Sequence, residues 1–150
     1  MDDTANLHGT CIALGESGVL LRGPAGAGKS DLALRLIEDG ARLVADDRVE
    51  ISRTGDIVMA RAPAALAGLL EVRGLGIVRL APDRVCAAVP LRLVVDLLPG
   101  ADFDRLPPPQ QADLLGLALD LIGIEPFTAS APAKVRLAAG AGPGSIMPTP

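Results

Sequence analysis

Residues 23–30 read GPAGAGKS: a glycine, four residues, then Gly-Lys-Ser. This is the spacing of a phosphate-binding P-loop, or Walker A motif. Such a loop needs glycines because its backbone N–H groups converge on phosphates, and side chains at the turns would block that approach. The alternative is an ordinary glycine-rich turn, which the full eight-residue match disfavours. The predicted nucleotide-binding residues are Gly23, Pro24, Ala25, Gly26, Ala27, Gly28, Lys29 and Ser30. We call this segment the glycine-rich loop.

The segments around the loop have the pattern that a P-loop requires. Residues 10–14 and 18–22 predict two strands joined by a turn at 15–18, and the second strand runs into the loop. After Ser30, apolar residues fall on one helical stripe, and Gly40 is placed to end that helix. The expected order is therefore strand, loop, helix.

The rest of the chain alternates between strand and helix patterns. Short strands are predicted at 43–45, 48–52 and 57–61, and a half-exposed strand within 85–97. Helices are predicted at 63–70, beginning at Pro63, and at 110–122. The expected fold class is α/β, with a mixed β-sheet and flanking helices.

Length and composition predict one cytoplasmic domain. A chain of 150 residues is one domain's worth, and no apolar run approaches the roughly 20 residues that cross a bilayer. We expect a catalytic domain over 1–137 and a flexible Gly/Pro/Ala tail over 138–150. Cys11 and Cys86 lie in apolar strand-like segments, which favours buried free thiols over a disulfide.

Charge and aromatic content argue against nucleic acid as a partner. The formal net charge is −4, and clustered Lys and Arg are missing. Phe103 and Phe127 are the only aromatic residues besides histidine, so base-stacking platforms for a strand are not expected. A membrane partner is not expected either.

Two adjacent carboxylates, Asp46 and Asp47, follow the strand predicted at 43–45. Neighbouring residues of a strand point to opposite faces, so the two should have different tasks. One could organise a metal's waters while the other accepts a proton from the phosphate acceptor. By itself the pair is more often a solvated strand end. His8, the only histidine, is by chemistry alone an ordinary surface or core residue.

A second informative stretch is LLEVRGLGIVRL, residues 69–80. Gly74 and Gly76 permit close backbone approach, and Glu71 and Arg73 bring charge beside them. From the residues alone, a glycine-bulged strand with a solvated ion pair is the favoured interpretation.

Taken together, His8-Gly9-Thr10, GPAGAGKSD, LVADDRVEI and LLEVRGLGIV resemble the catalytic domain of HPr kinase/phosphorylase. The resemblance covers roughly residues 7–137, and Glu71 to Ile77 is its most specific part. It implies an HPr kinase/phosphoenolpyruvate carboxykinase-like fold with a P-loop. It also implies ATP and Mg²⁺ as cofactors and a serine of an HPr-like phosphocarrier as acceptor, with phosphorolysis as the reverse reaction.

The resemblance assigns roles residue by residue. His8 matches an active-site histidine and Lys29 the P-loop lysine, while Ser30 and Glu71 match magnesium ligands. Asp47 matches the proton-transferring aspartate, leaving Asp46 nearer the metal, although the sequence leaves open which of the two is the base. Arg105, in FDRL, matches an active-site arginine on a mobile loop.

The sequence also departs from the family pattern. Only seven residues precede His8, so control through a preceding domain is not expected. PAKVRL (132–137) only loosely matches the segment tied to dephosphorylation, so kinase activity is better supported than phosphorylase activity. The family's hexamer makes a homo-oligomer a further expectation. Two alternatives stay open: a P-loop small-molecule kinase and a non-catalytic nucleotide-sensing module.

Overall fold

The computed structural model describes residues 3–148 and contains eleven strands and two α-helices in that range. The strands are β1 (Thr4–His8), β2 (Thr10–Leu14), β3 (Ser17–Arg22), β4 (Arg42–Ala45), β5 (Arg48–Thr54), β6 (Ile57–Arg61), β7 (Leu69–Val72), β8 (Gly76–Arg79), β9 (Ala88–Leu97), β10 (Gln110–Leu114) and β11 (Leu117–Ile124). The helices are α1 (Lys29–Glu38) and α2 (Ala131–Ala138), and short 3₁₀ turns lie at Ala64–Leu66 and Pro82–Arg84.

Nine of these strands form one mixed sheet, in the order β1-β5-β6-β9-β3-β2-β4. On β9, β11 adds as a parallel strand, and β10 pairs antiparallel with β11. The β3–β9 pair is also parallel, whereas the other pairs are antiparallel. A separate hairpin is formed by β7 and β8. The predicted mixed sheet with flanking helices is confirmed.

Apolar side chains pack on both faces of the sheet. On one face, Leu32 and Leu36 of α1 and Val135 of α2 pack with residues such as Leu21 and Leu93. On the other face, the sheet curls so that β5 and β6 cover residues that include Leu20 and Val94. We call these the helix-side core and the strand-side core.

Strand β9 lies at the centre and contributes to both cores, so the prediction of a half-exposed strand was wrong. Its pairing with β3 shifts register between Gly18↔Leu91 and Val19↔Leu93. The shift is a bulge, and it breaks the two-residue alternation of side chains. Leu91 therefore packs in the strand-side core and Leu93 in the helix-side core, while Arg92 stays exposed.

The helix predicted at 110–122 was also wrong, because this segment is the β10–β11 hairpin. Its turn is Leu115-Gly116, and both residues have positive φ, 53° and 83°. That backbone suits a tight hairpin turn and breaks a helix. The side chains of Ala112, Leu114 and Leu119 are buried in the strand-side core, a period-two pattern that apolar richness disguised.

Of the remaining secondary-structure predictions, most are confirmed and one is wrong. The hairpin at 10–22, the strands at 43–45, 48–52 and 57–61, and the helix after the loop, which is followed by Gly40 at φ 108°, are confirmed. The helix predicted at 63–70 is only one 3₁₀ turn followed by β7, and β1 and α2 were not predicted.

Both cysteines are free, but only Cys11 is buried, and Cys86 lies outside any strand. Within residues 3–148 no helix is long and apolar enough to span a membrane.

Candidate active site

The glycine-rich loop connects the end of β3 to the start of α1. Gly23 leaves no room for a side chain, since a Cβ there would lie 2.9 Å from the Ala27 Cβ. Gly28 caps the helix in the left-handed conformation, with φ 96° and no side-chain cap. The first N–H groups of α1 thus face the loop without a capping side chain, which is the arrangement that binds anions at helix N-termini.

Lys29 folds back over the loop. Its Nζ donates to the carbonyl oxygens of Gly23 at 2.6 Å and Pro24 at 3.0 Å, and only 8% of the residue is exposed. Burial lowers the pKa of Lys29, because it removes water from the ammonium group, while Asp46 and Asp47 act in the opposite direction. The two hydrogen bonds therefore hold the Lys29 amine at the loop.

Asp46 is a buried carboxylate that connects three elements. Its Oδ1 accepts hydrogen bonds from Thr10 Oγ1 and Ser30 Oγ, both at 2.8 Å. Its Oδ2 accepts from the backbone N–H of Glu71 at 3.0 Å. The residue thus joins β2, the start of α1 and β7, and both of its oxygens have donors.

Asp47 faces a different group. It lies beyond the end of β4 with a left-handed φ of 69°, so strand alternation does not apply to it. Its Oδ1 is 3.3 Å from His8 Nε2, with side-chain exposures of 65% for Asp47 and 47% for His8. His8 pairs with Arg48 at the end of the β1–β5 ladder. Because Asp47 directly precedes Arg48, this pairing brings Asp47 next to His8. This exposed carboxylate–imidazole pair can exchange a proton with a bound molecule.

These groups line one cavity of about 470 Å³. The predicted site residues that line it are His8, Ala25, Gly26, Gly28, Lys29, Ser30, Asp46, Asp47 and Glu71. Gly23 and Pro24 act through the carbonyls that hold Lys29, and Ala27 packs in the helix-side core. Arg105 is exposed on the segment between β9 and β10 and does not line the cavity.

Six further residues line the cavity without having been predicted: Thr10, Asp31, Leu34, Val72, Arg73 and Phe127. Thr10 is a buried polar residue in an otherwise apolar strand, a weak signal in a sequence. Arg73 stood out only as a charged residue directly before Gly74, within the stretch that carries the resemblance. Phe127 is distant from every motif, and only its rarity as an aromatic residue could have drawn attention to it.

The residues expected to ligate magnesium present suitable oxygen donors. Ser30 and Glu71 both line the cavity, and within residues 3–148 the Glu71 carboxylate forms no hydrogen bond or ion pair. In the same part of the chain, no group of three or more His, Cys, Asp or Glu side chains is arranged to hold a metal. Hydroxyl and carboxylate oxygens suit Mg²⁺, which commonly takes one or two protein ligands and shares the rest with phosphates and water.

Comparisons with known proteins identify the family of the chain. HPr kinase/phosphorylases from Burkholderia lata and Burkholderia cenocepacia are each 43% identical over 129 residues, covering 81% of this chain and 40% of the relative. The chain therefore spans about 40% of the length of these curated relatives. The solved HPr(Ser) kinase/phosphatase from Coxiella burnetii matches with a TM-score of 0.77 at 25% identity, over 87% of this chain and 86% of that chain.

The family model described as the HPr Serine kinase C-terminal domain matches residues 1–125. That match covers most of the chain and includes the glycine-rich loop, both aspartates and Glu71. The chain belongs to the HPr serine kinase C-terminal domain family.

Proposed function

We propose that this domain is a cytoplasmic, ATP- and Mg²⁺-dependent protein-serine kinase that phosphorylates an HPr-like phosphocarrier. Phosphorolysis would use the same site in the opposite direction: inorganic phosphate would take the phosphoryl group from phosphoserine and leave as pyrophosphate, restoring the serine hydroxyl. One observation carries the proposal: the glycine-rich loop and the Asp47–His8 pair line a single cavity. A phosphate donor and a hydroxyl acceptor can therefore meet there.

The donor's phosphates would be held by the loop. Backbone N–H groups and the positive end of the α1 dipole favour a polyanion at this point. Lys29 Nζ, 8% exposed as a residue and bonded to two loop carbonyls, would turn its charge toward the β- and γ-phosphates. When bound through Ser30 and Glu71, Mg²⁺ would neutralise charge on the phosphates.

Asp47 is the better candidate for the base. Asp46 is buried, and its two oxygens already accept three hydrogen bonds. Asp47 is exposed to the cavity and has His8 as its partner. In the transfer, the serine hydroxyl gives its proton to Asp47 while its oxygen bonds to the γ-phosphorus, and the bond from that phosphorus to ADP breaks.

The direct test is transfer of phosphate from Mg-ATP to a purified HPr-like carrier, detected as phosphoserine. Asp47→Asn should lower the transfer rate by roughly 10²- to 10⁴-fold while leaving Mg-ATP affinity nearly unchanged. Asp56→Asn is the matched control, since Asp56 is exposed in the β5–β6 turn and does not line the cavity. Full activity in Asp47→Asn would refute the assigned base.

The same assay separates the alternatives. Wild-type protein that binds ATP and phosphorylates a metabolite but no carrier from its own organism would indicate a small-molecule kinase. Binding without any transfer would indicate a nucleotide-sensing module.

A further inference from the structure

Phe127 is an aromatic side chain exposed beside the glycine-rich loop. The chain has two Phe and no Trp or Tyr, and Phe127 lines the cavity with 56% of the residue exposed. Its exposed apolar surface lies beside the polar groups of the cavity, where a bound molecule could contact it. The roles assigned to the loop, Asp47 and His8 do not use it.

The ring lies directly over Gly28. A Cβ built on Gly28 would be 2.9 Å from Phe127 Cε1 and 3.0 Å from Cζ, so one ring edge packs on the loop backbone. Any larger residue at position 28 would displace the ring. Over half of Phe127 remains exposed, so the part of the residue that does not pack on Gly28 is open to a molecule bound in the cavity.

The backbone at Phe127 is held in place relative to α1. Arg35 of α1 donates to the carbonyls of Pro126 and Thr128, the two neighbours of Phe127. Glu125 Oε2 accepts from the Phe127 N–H at 2.8 Å, and its Oε1 accepts from the Gly100 N–H at 3.0 Å. The backbone that carries the ring is therefore attached to the helix that begins at the loop, as a preorganised contact requires.

We infer that Phe127 is the platform on which the nucleobase of the phosphate donor stacks. The inference rests on the proposed function, because it takes a nucleoside triphosphate as the occupant of the loop. A nucleobase is the chemical partner that best matches an aromatic ring exposed beside a phosphate site, because stacking uses the flat surface common to every base. Phe127 would then fix the direction in which the nucleoside leaves the loop.

The test is calorimetric titration of the whole chain with Mg-ATP and, separately, with Mg-tripolyphosphate, which has the phosphates but no base. Phe127→Ala should weaken Mg-ATP binding about tenfold, the loss expected for one stacked base, and leave Mg-tripolyphosphate within twofold. Phe127→Trp should keep Mg-ATP binding. Phe103→Ala is the matched control, because Phe103 packs near Gly123 and does not line the cavity.

Two results would overturn the inference. Unchanged Mg-ATP affinity in Phe127→Ala would mean that the ring does not touch the base. A parallel loss for both ligands would mean that it only shapes the loop at Gly28. Wild-type protein that binds neither ligand would instead refute nucleotide binding itself, so failure of the proposed function is distinguishable from failure of this inference.

Discussion

At the scale of single residues, Asp46 joins the parts of the site. A buried carboxylate is costly to desolvate, and it persists where hydrogen-bond donors surround it. Here the donors come from Thr10, Ser30 and the backbone of Glu71. This one side chain therefore links the glycine-rich loop to β7, in addition to the packing of Leu70 in the helix-side core.

Asp46→Ala should lower the free energy of unfolding by about 3 kcal/mol, because buried donors lose a charged acceptor. Urea denaturation of the variant against wild type measures the change. Glu38→Ala, at an exposed position of α1, should change the stability by less than about 0.5 kcal/mol. Equal stability of the two variants would contradict the role given to Asp46.

The backbone of Asp47 leads to a second prediction. Its φ of 69° is a conformation that Asn and Asp tolerate better than other side chains. Asp47→Asn should therefore leave stability within about 0.5 kcal/mol of wild type, whereas Asp47→Ala should lose about 1 kcal/mol. Thermal unfolding of the two variants provides the comparison, and an Ala variant as stable as the Asn variant would show that no strain is stored there.

At the scale of elements, the segment after β11 should respond to pH. Hydrogen bonds from the backbone of Gly100, Phe127 and Thr128 lower the pKa of Glu125 below its ordinary value of 4.5. The ionised form is favoured by folding, so its stabilisation is present above the ordinary pKa and is lost as pH falls through the lowered one. Protection of the Gly100 and Phe127 amides, measured as the exchange rate relative to the intrinsic rate at the same pH, should be high at neutral pH and fall in acid. Glu125→Gln should remove that pH dependence.

Helix α2 is attached to α1 by Arg136. Its guanidinium pairs with Asp39 Oδ2 at 3.0 Å and donates to the Leu36 carbonyl at 3.1 Å. Arg136→Ala should cost about 1 kcal/mol of unfolding free energy, since the side chain is only 19% exposed. Lys134→Ala, on the same helix and exposed, should cost less than about 0.5 kcal/mol. Indistinguishable denaturation curves for the two variants would disprove the attachment.

Local sequence patterns predicted elements well where one period dominated. The apolar stripe of α1 and the 10–22 hairpin are examples. At 110–122, leucines and alanines satisfied both a helical and an extended pattern, and the left-handed Leu115-Gly116 turn decided between them. Helix α2 is short and mixed in composition, and its packing through Val135 against the helix-side core is not visible in a local window.

At the scale of the whole molecule, the two cores share strands β3 and β9. Leu20 and Leu21 are adjacent, yet Leu20 packs in the strand-side core and Leu21 in the helix-side core. Leu20→Ala and Leu21→Ala should each lower stability by about 2–5 kcal/mol. Because the cores are joined through one sheet, calorimetry should still show a single unfolding transition in both variants. Two separate transitions in either variant would show that the cores fold independently.

Chain connectivity also determined how much of the candidate site could be predicted. The loop spacing, the aspartate pair and the family resemblance predicted four residues of one site: His8, Lys29, Asp47 and Glu71. In the fold, all four line the same cavity. Phe127 reaches the same cavity only because β11 runs parallel to β9 and ends near the loop. Such long-range placement follows from sheet order, which no single motif encodes. The role of Arg105 stays a prediction.

The pairing of His8 with Asp47 has a practical consequence for spectroscopy. Because the chain contains a single histidine, its proton NMR spectrum should have one imidazole C2–H resonance, with no assignment problem. That resonance belongs to a ring 3.3 Å from the proposed base. Following it during a titration would report, on an unlabelled sample, when an arriving molecule separates the ring from its carboxylate.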